Sequence, residues 1–137
     1  MQMLQTALLA IAAIICIAFG LRYFLTREFM PYHATVVGKS WAQLEPGLQA
    51  IVLGMLKIVG GGFAGYGVAL LWLLIPLRQG LWWAPAAVLA ISAATLLPVL
   101  YVTVWLRHME PTAKTPIAPA VVVLALVVIG AALSWVG

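Results

Sequence analysis

Four stretches of this chain are each long and apolar enough to cross a bilayer, and polar segments separate them. A spanning helix needs about 20 mostly apolar residues. The stretches cover about 4–21, 48–77, 81–106 and 117–136. In hydrocarbon every backbone amide and carbonyl has to be satisfied within its own segment, so each stretch has to be helical. Two of the connections are short, which makes sequential helices antiparallel neighbours. The expected fold is an all-α membrane protein, one antiparallel bundle of four transmembrane helices occupying 1–137 as a single domain.

The composition agrees with lipid as the solvent. Of 137 residues, 66% are hydrophobic and 7% charged, and the mean hydropathy is +1.16. A soluble domain carries roughly a quarter charged residues. A water-soluble enzyme, a disordered tail and a nucleic-acid-binding domain are thereby excluded. The net charge of +4 then reports topology, because Lys and Arg collect in cytoplasmic loops. Arg22, Arg27, Lys39, Arg107 and Lys114 flank the two longer loops, and Arg78 lies in the short turn between the second and third spans. That asymmetry places both longer loops in the cytoplasm and both termini outside.

The first span has no Lys or Arg before its apolar run and no small-residue cleavage site, so it reads as a retained helix rather than a signal peptide. Cys16 lies inside that run and reads as a small buried hydrophobe. Trp72, Trp82, Trp83, Trp105 and Trp135 fall near span ends, the positions of an interfacial aromatic belt.

The first loop is not a plain connector. Pro31 suits a first helical turn, and Glu45-Pro46-Gly47 reads as a stop followed by a tight turn. Between them Val37, Trp41, Leu44 and Leu48 recur at helical spacing, with Thr35, Lys39 and Gln43 on another face. The pattern predicts an amphipathic interfacial helix over about 31–44, lying against the mouth of the bundle.

Lys57 is the one charged residue well inside a span. Placing Lys at a helix centre costs about 2.5–3.5 kcal/mol on the insertion scale. Gly54, Lys57, Gly60, Gly61, Ala64, Gly65 and Val68 form one stripe, and Gly61-x-x-x-Gly65 is a small-x-x-x-small pair, so the stripe is expected to face another helix. Lys57 lies level with the region of Thr95 to Tyr101. There Pro98 frees the carbonyl of Ala94, which makes that region the expected acceptor, with the Thr95 and Tyr101 hydroxyls as further candidates.

The other groups capable of chemistry are Glu28, His33, Lys39 and Glu45 in the first loop, and His108 and Glu110 in the other. His33 and His108 could supply a metal or haem site by residue type, but neither sits at a familiar ligand spacing. Gly60-Gly61-Gly62 is inside an apolar helix whose amides are already bonded, so it is no phosphate cradle. No serine or cysteine has a base at recognisable spacing.

Glu45-Pro46-Gly47 leading into Leu53-Gly54-Met55-Leu56-Lys57-Ile58-Val59-Gly60-Gly61-Gly62, then Leu97-Pro98-Val99-Leu100-Tyr101, resembles the DoxX-like group of small four-helix bacterial membrane proteins. That resemblance implies the bacterial inner membrane, and some members are linked to quinone-oxidising or thiol-stress assemblies. The first-loop helix and the outside N-terminus depart from the pattern, and no functional residue is carried over.

Three functions are compatible with these residues. The first is a non-enzymatic membrane protein that binds a lipid, quinone or partner helix around Lys57, with Thr95, Tyr101 and Trp41 completing the site and Gly54, Gly60, Gly61, Ala64 and Gly65 providing the packing face. The second is a redox, metal or haem-associated subunit using His33 and His108. The third is a small transporter or channel subunit assembled as a homo-oligomer or with a partner membrane protein.

Overall fold

The computed structural model describes residues 1–135. It contains five α-helices: α1 (Gln2–Leu25), α2 (Pro31–Val37), α3 (Pro46–Arg78), α4 (Ala84–Met109) and α5 (Ile117–Ala132). There is no strand among the described residues. A 3-10 turn over Leu133–Trp135 extends α5, and the expected end of the fourth stretch at 136 lies outside the described residues. Four helices are long and apolar enough to cross a membrane. Their outer faces expose Ile11, Ile14, Ile58, Leu97, Val121 and Ile129, a surface suited to hydrocarbon rather than to water. Trp72, Trp82, Trp83, Trp105 and Trp135 are all exposed on this surface.

The helix limits follow local chemistry. Pro46 does not belong to a tight turn, as the Glu45-Pro46-Gly47 sequence suggests. It occupies the first position of α3, with Glu45 as N-cap. Proline fits there because its φ is already helical and a first-turn amide has no intrahelical acceptor to lose. α3 then runs for 33 residues, roughly 50 Å of helix axis, well beyond the thickness of a hydrocarbon core.

The expected helix over 31–44 is broken in two. α2 stops at Gly38, whose φ of +69° is the left-handed conformation that favours glycine, and the Gly38 amide donates to the Ala34 carbonyl at 2.9 Å. A separate 3-10 turn follows at Trp41–Gln43. The apolar face drawn through Val37, Trp41, Leu44 and Leu48 therefore does not exist as one surface: Leu44 is buried and Trp41 half-buried, while Val37 and Leu48 are exposed.

α1 lies at the centre of the packing. It meets α3 along most of its length and α5 along its first half, and α4 packs on α5 more extensively than on α3. The Gln2 side-chain amide reaches the Arg78 carbonyl, and Gln5 bonds Ser134, which places the start of α1 beside the ends of α3 and α5. The main core includes Leu9, Ala13, Cys16, Leu70, Leu96 and Val127. A second cluster (Tyr23, Phe29, Met30, Leu44 and Leu56) fastens the first loop onto the loop-side ends of α1 and α3.

The α1–α3 seam is made by small residues. A Cβ placed on Gly60 would lie 2.5 Å from the Phe24 amide nitrogen and 2.6 Å from the Gly20 carbonyl oxygen. A Cβ on Gly20 would meet Ala64 and Gly60 just as closely, and one on Gly67 would meet the Ala13 carbonyl at 2.7 Å. The seam is thus Gly20 against Gly60 and Ala64, and Ala13 and Ile17 against Gly67. Gly54, Gly61 and Gly65, expected on the packing stripe, are exposed with nothing within 4 Å of an added Cβ. One step along a helix turns the side chain by roughly 100°, enough to move Gly61 from the seam to the outer surface.

Candidate functional site

Lys57 is turned toward α1, not α4. Its Nζ donates to the Phe24 carbonyl at 2.8 Å and lies 5.4 Å from the centre of the Phe24 ring. Phe24 is in the last turn of α1, where carbonyls lack intrahelical donors and the helix dipole presents its negative end. Lys57 therefore caps a neighbouring helix and ties α1 to α3. This corrects the expected acceptor near Ala94, Thr95 and Tyr101. Tyr101 points outward at 72% exposure, and Thr95 is half-buried elsewhere on α4. Trp41 packs edge-on against Phe29, with ring centres 5.1 Å apart, in the loop cluster. These residues do not converge on Lys57.

What the fold does create is a chamber. A cavity of about 320 Å³ lies between the main core and the loop cluster, lined by residues of α1, α3, α4 and α5. That volume lies at the small end of the range for ligand pockets. Cys16, Leu96 and Val123 line its deep end, and Phe19, Phe63 and Ala120 its walls. The chamber extends from Leu96 to Leu106 along α4, roughly 15 Å. Among its lining residues Val59, Pro98 and Val102 are exposed, so its opening lies between α3 and α4 and faces sideways out of the bundle. Proline at 98 cannot bond the Ala94 carbonyl, a local weakness in α4 placed at this opening.

The loop-side end of the chamber is closed by Tyr32 and His33 of α2. Each is held by a specific bond. The Tyr32 and Tyr23 hydroxyls are 2.8 Å apart, which latches α2 to α1. The Met30 amide donates to His33 Nδ1 at 3.1 Å, so the ring caps its own helix. The two rings pack with centres 4.1 Å apart, and His33 also meets Phe29 edge-on. Burial pushes the Tyr32 phenol above its ordinary value, and the bond to Tyr23 adds to that. Burial also holds His33 below its usual value of 6.5, which keeps the ring neutral.

Sequence reading selected His33 but missed Tyr23, Tyr32 and the chamber itself. The available signal was the Tyr32-His33 pair directly after Pro31, two side chains that each combine an apolar body with a polar tip. His108 is exposed in the last turn of α4 and does not join His33. Among the described residues no three His, Cys, Asp or Glu side chains gather where a metal ion could be held. At the opposite end of the molecule a second recess of about 520 Å³ is lined by Gln5, Arg78, Gln79, Trp82 and Ser134. The chain matches no protein-family model, no curated protein and no solved structure.

Proposed function

We propose that this chain is an integral membrane protein that takes the apolar part of a lipid-soluble molecule, a lipid or a quinone, from the bilayer into the chamber between α3 and α4. The observation that carries this reading is the chamber's form. It is apolar along its length, polar only at its loop-side end, and opens sideways where the helices would face hydrocarbon. Binding without chemistry is the simplest role, since no nucleophile–base pair or ligand cluster lines it. In this reading the two longer loops face the cytoplasm, because they carry five of the basic residues named above. The occupant then has its polar end at the cytoplasmic side.

Ala120→Phe tests the reading. Ala120 is a buried wall residue of the chamber, and a phenyl ring there fills the cavity without adding charge. Native mass spectrometry of the detergent-extracted protein should show one lipid-soluble molecule retained per wild-type chain and none by the variant, with helix content unchanged. Equal retention by both would sink the proposal.

A further inference from the structure

Four polar side chains at the loop-side end of the chamber, Tyr23, Tyr32, His33 and Thr103, define what a ligand's head can be. Their protons can be assigned from their bonds. Thr103 donates its hydroxyl proton to the Val99 carbonyl at 2.9 Å, with the Leu100 carbonyl at 3.1 Å. Between Tyr23 and Tyr32 one proton bridges the two oxygens, so whichever ring accepts keeps its own O–H unused. His33 accepts at Nδ1, which leaves the proton of the neutral ring on Nε2. The chamber end thus holds two uncommitted donors, one O–H and one N–H. No Lys, Arg, Asp or Glu is among its lining residues.

That donor set discriminates between heads. A pure hydrocarbon leaves both donors without a partner. A carboxylate would be stripped of water with no cation to pair it. A carbonyl oxygen has two lone pairs, no charge and no proton of its own, and can receive both donors. We propose that the ligand carries an uncharged carbonyl at the loop-side end, accepting from His33 Nε2–H and from the spare tyrosine O–H, while its chain extends toward Cys16, Leu96 and Val123. This rests on the chamber-binding reading above. Ketone, quinone and ester share this chemistry, and they are separated below by the probe used.

The test is competition for a diazirine-bearing dodecane photoprobe, with the protein in nanodiscs of a diether phosphatidylcholine, a lipid that has no carbonyl of its own. The competitors are dodecane, methyl dodecanoate, decylbenzoquinone and dodecanoate anion. Against wild type the best carbonyl competitor should displace the probe at least about tenfold better than dodecane, the lower range for two neutral hydrogen bonds, and dodecanoate no better than dodecane. An advantage confined to the benzoquinone identifies a quinone as the natural class, and one confined to the ester identifies a lipid; either supports the proposal. His33→Leu should reduce the carbonyl advantage several-fold while leaving dodecane unchanged. His33→Gln keeps an acceptor for the Met30 amide and an N–H to donate, and should retain the advantage. Carbonyl competitors no better than dodecane, a dodecanoate preference, or an advantage undiminished in His33→Leu would each overturn the carbonyl assignment. If dodecane itself fails to displace the probe from wild type, the chamber reading is what has failed.

Discussion

Adjacent glycines on α3 should respond to the same substitution with opposite signs. Gly60→Ala puts a methyl 2.5 Å from the Phe24 amide nitrogen and 2.6 Å from the Gly20 carbonyl oxygen, whereas ordinary contact begins at 3.4 Å. Both neighbours are backbone atoms, so no side-chain rotation relieves the clash, and α1 has to retreat by about 1 Å along the seam. Overpacking of this kind costs about 1–3 kcal/mol, and a rigid backbone neighbour places this case near the top of that range. Alanine's better helix propensity returns about 1 kcal/mol, for a net loss of about 2 kcal/mol. Gly61→Ala meets nothing within 4 Å, so only the propensity gain remains, up to about 1 kcal/mol. The two variants should therefore differ by about 3 kcal/mol, more than a hundredfold in the unfolding equilibrium. Reversible unfolding in mixed dodecyl maltoside and dodecyl sulfate micelles, followed by far-ultraviolet circular dichroism, measures this difference. Equal stabilities, or Gly61→Ala as the weaker variant, would show that the α1–α3 seam does not run through Gly20, Gly60 and Ala64.

Three further outcomes follow from named contacts. Lys57→Met removes the donor to the Phe24 carbonyl and should cost about 1 kcal/mol in the same unfolding assay, with binding in the chamber unchanged because Lys57 does not line it. Tyr23→Phe and Tyr32→Phe should each lose about 1 kcal/mol, and the double variant should lose little more than either, since both singles break the same bond. Acidification should weaken the closure at α2. The folded state holds His33 below 6.5, so the unfolded chain binds the proton more readily. Stability is then fully present above pH 6.5 and falls as the pH drops below it, levelling off once the folded ring also protonates. Thermal melts between about pH 5 and 8 should show this dependence in wild type and lose it in His33→Gln.

The four long helices were legible because hydropathy alone decides which segments leave water. The finer register was not. Gly60-x-x-x-Ala64 and Gly61-x-x-x-Gly65 obey the same small-residue rule one position apart, and the choice between them depends on where Gly20 of α1 arrives, a fact of tertiary packing. The partner of Lys57 was hidden for the same reason. Level on the membrane axis pointed to α4, but the end of α1 supplies the nearer acceptor, at Phe24. Gly38 in the loop was a visible helix weakness, and its left-handed conformation does divide the segment there. The chamber had no signature in the sequence, because a cavity is set by how the side chains of several helices meet rather than by any local pattern. Its polar closure was half-visible, in His33 but not in the two tyrosines.

The central claim is that the chamber between α3 and α4 holds the apolar part of a lipid-soluble molecule. Site-resolved photolabelling of the wild-type protein in nanodiscs, by a saturable dodecyl diazirine, tests it most directly. Label should concentrate on Cys16, Phe63 and Leu96, which line the chamber, reach one per chain, and vanish from those positions in Ala120→Phe. Label that never saturates and lies on the exposed faces at Ile14, Ile58 and Val121, alike in wild type and variant, would contradict it.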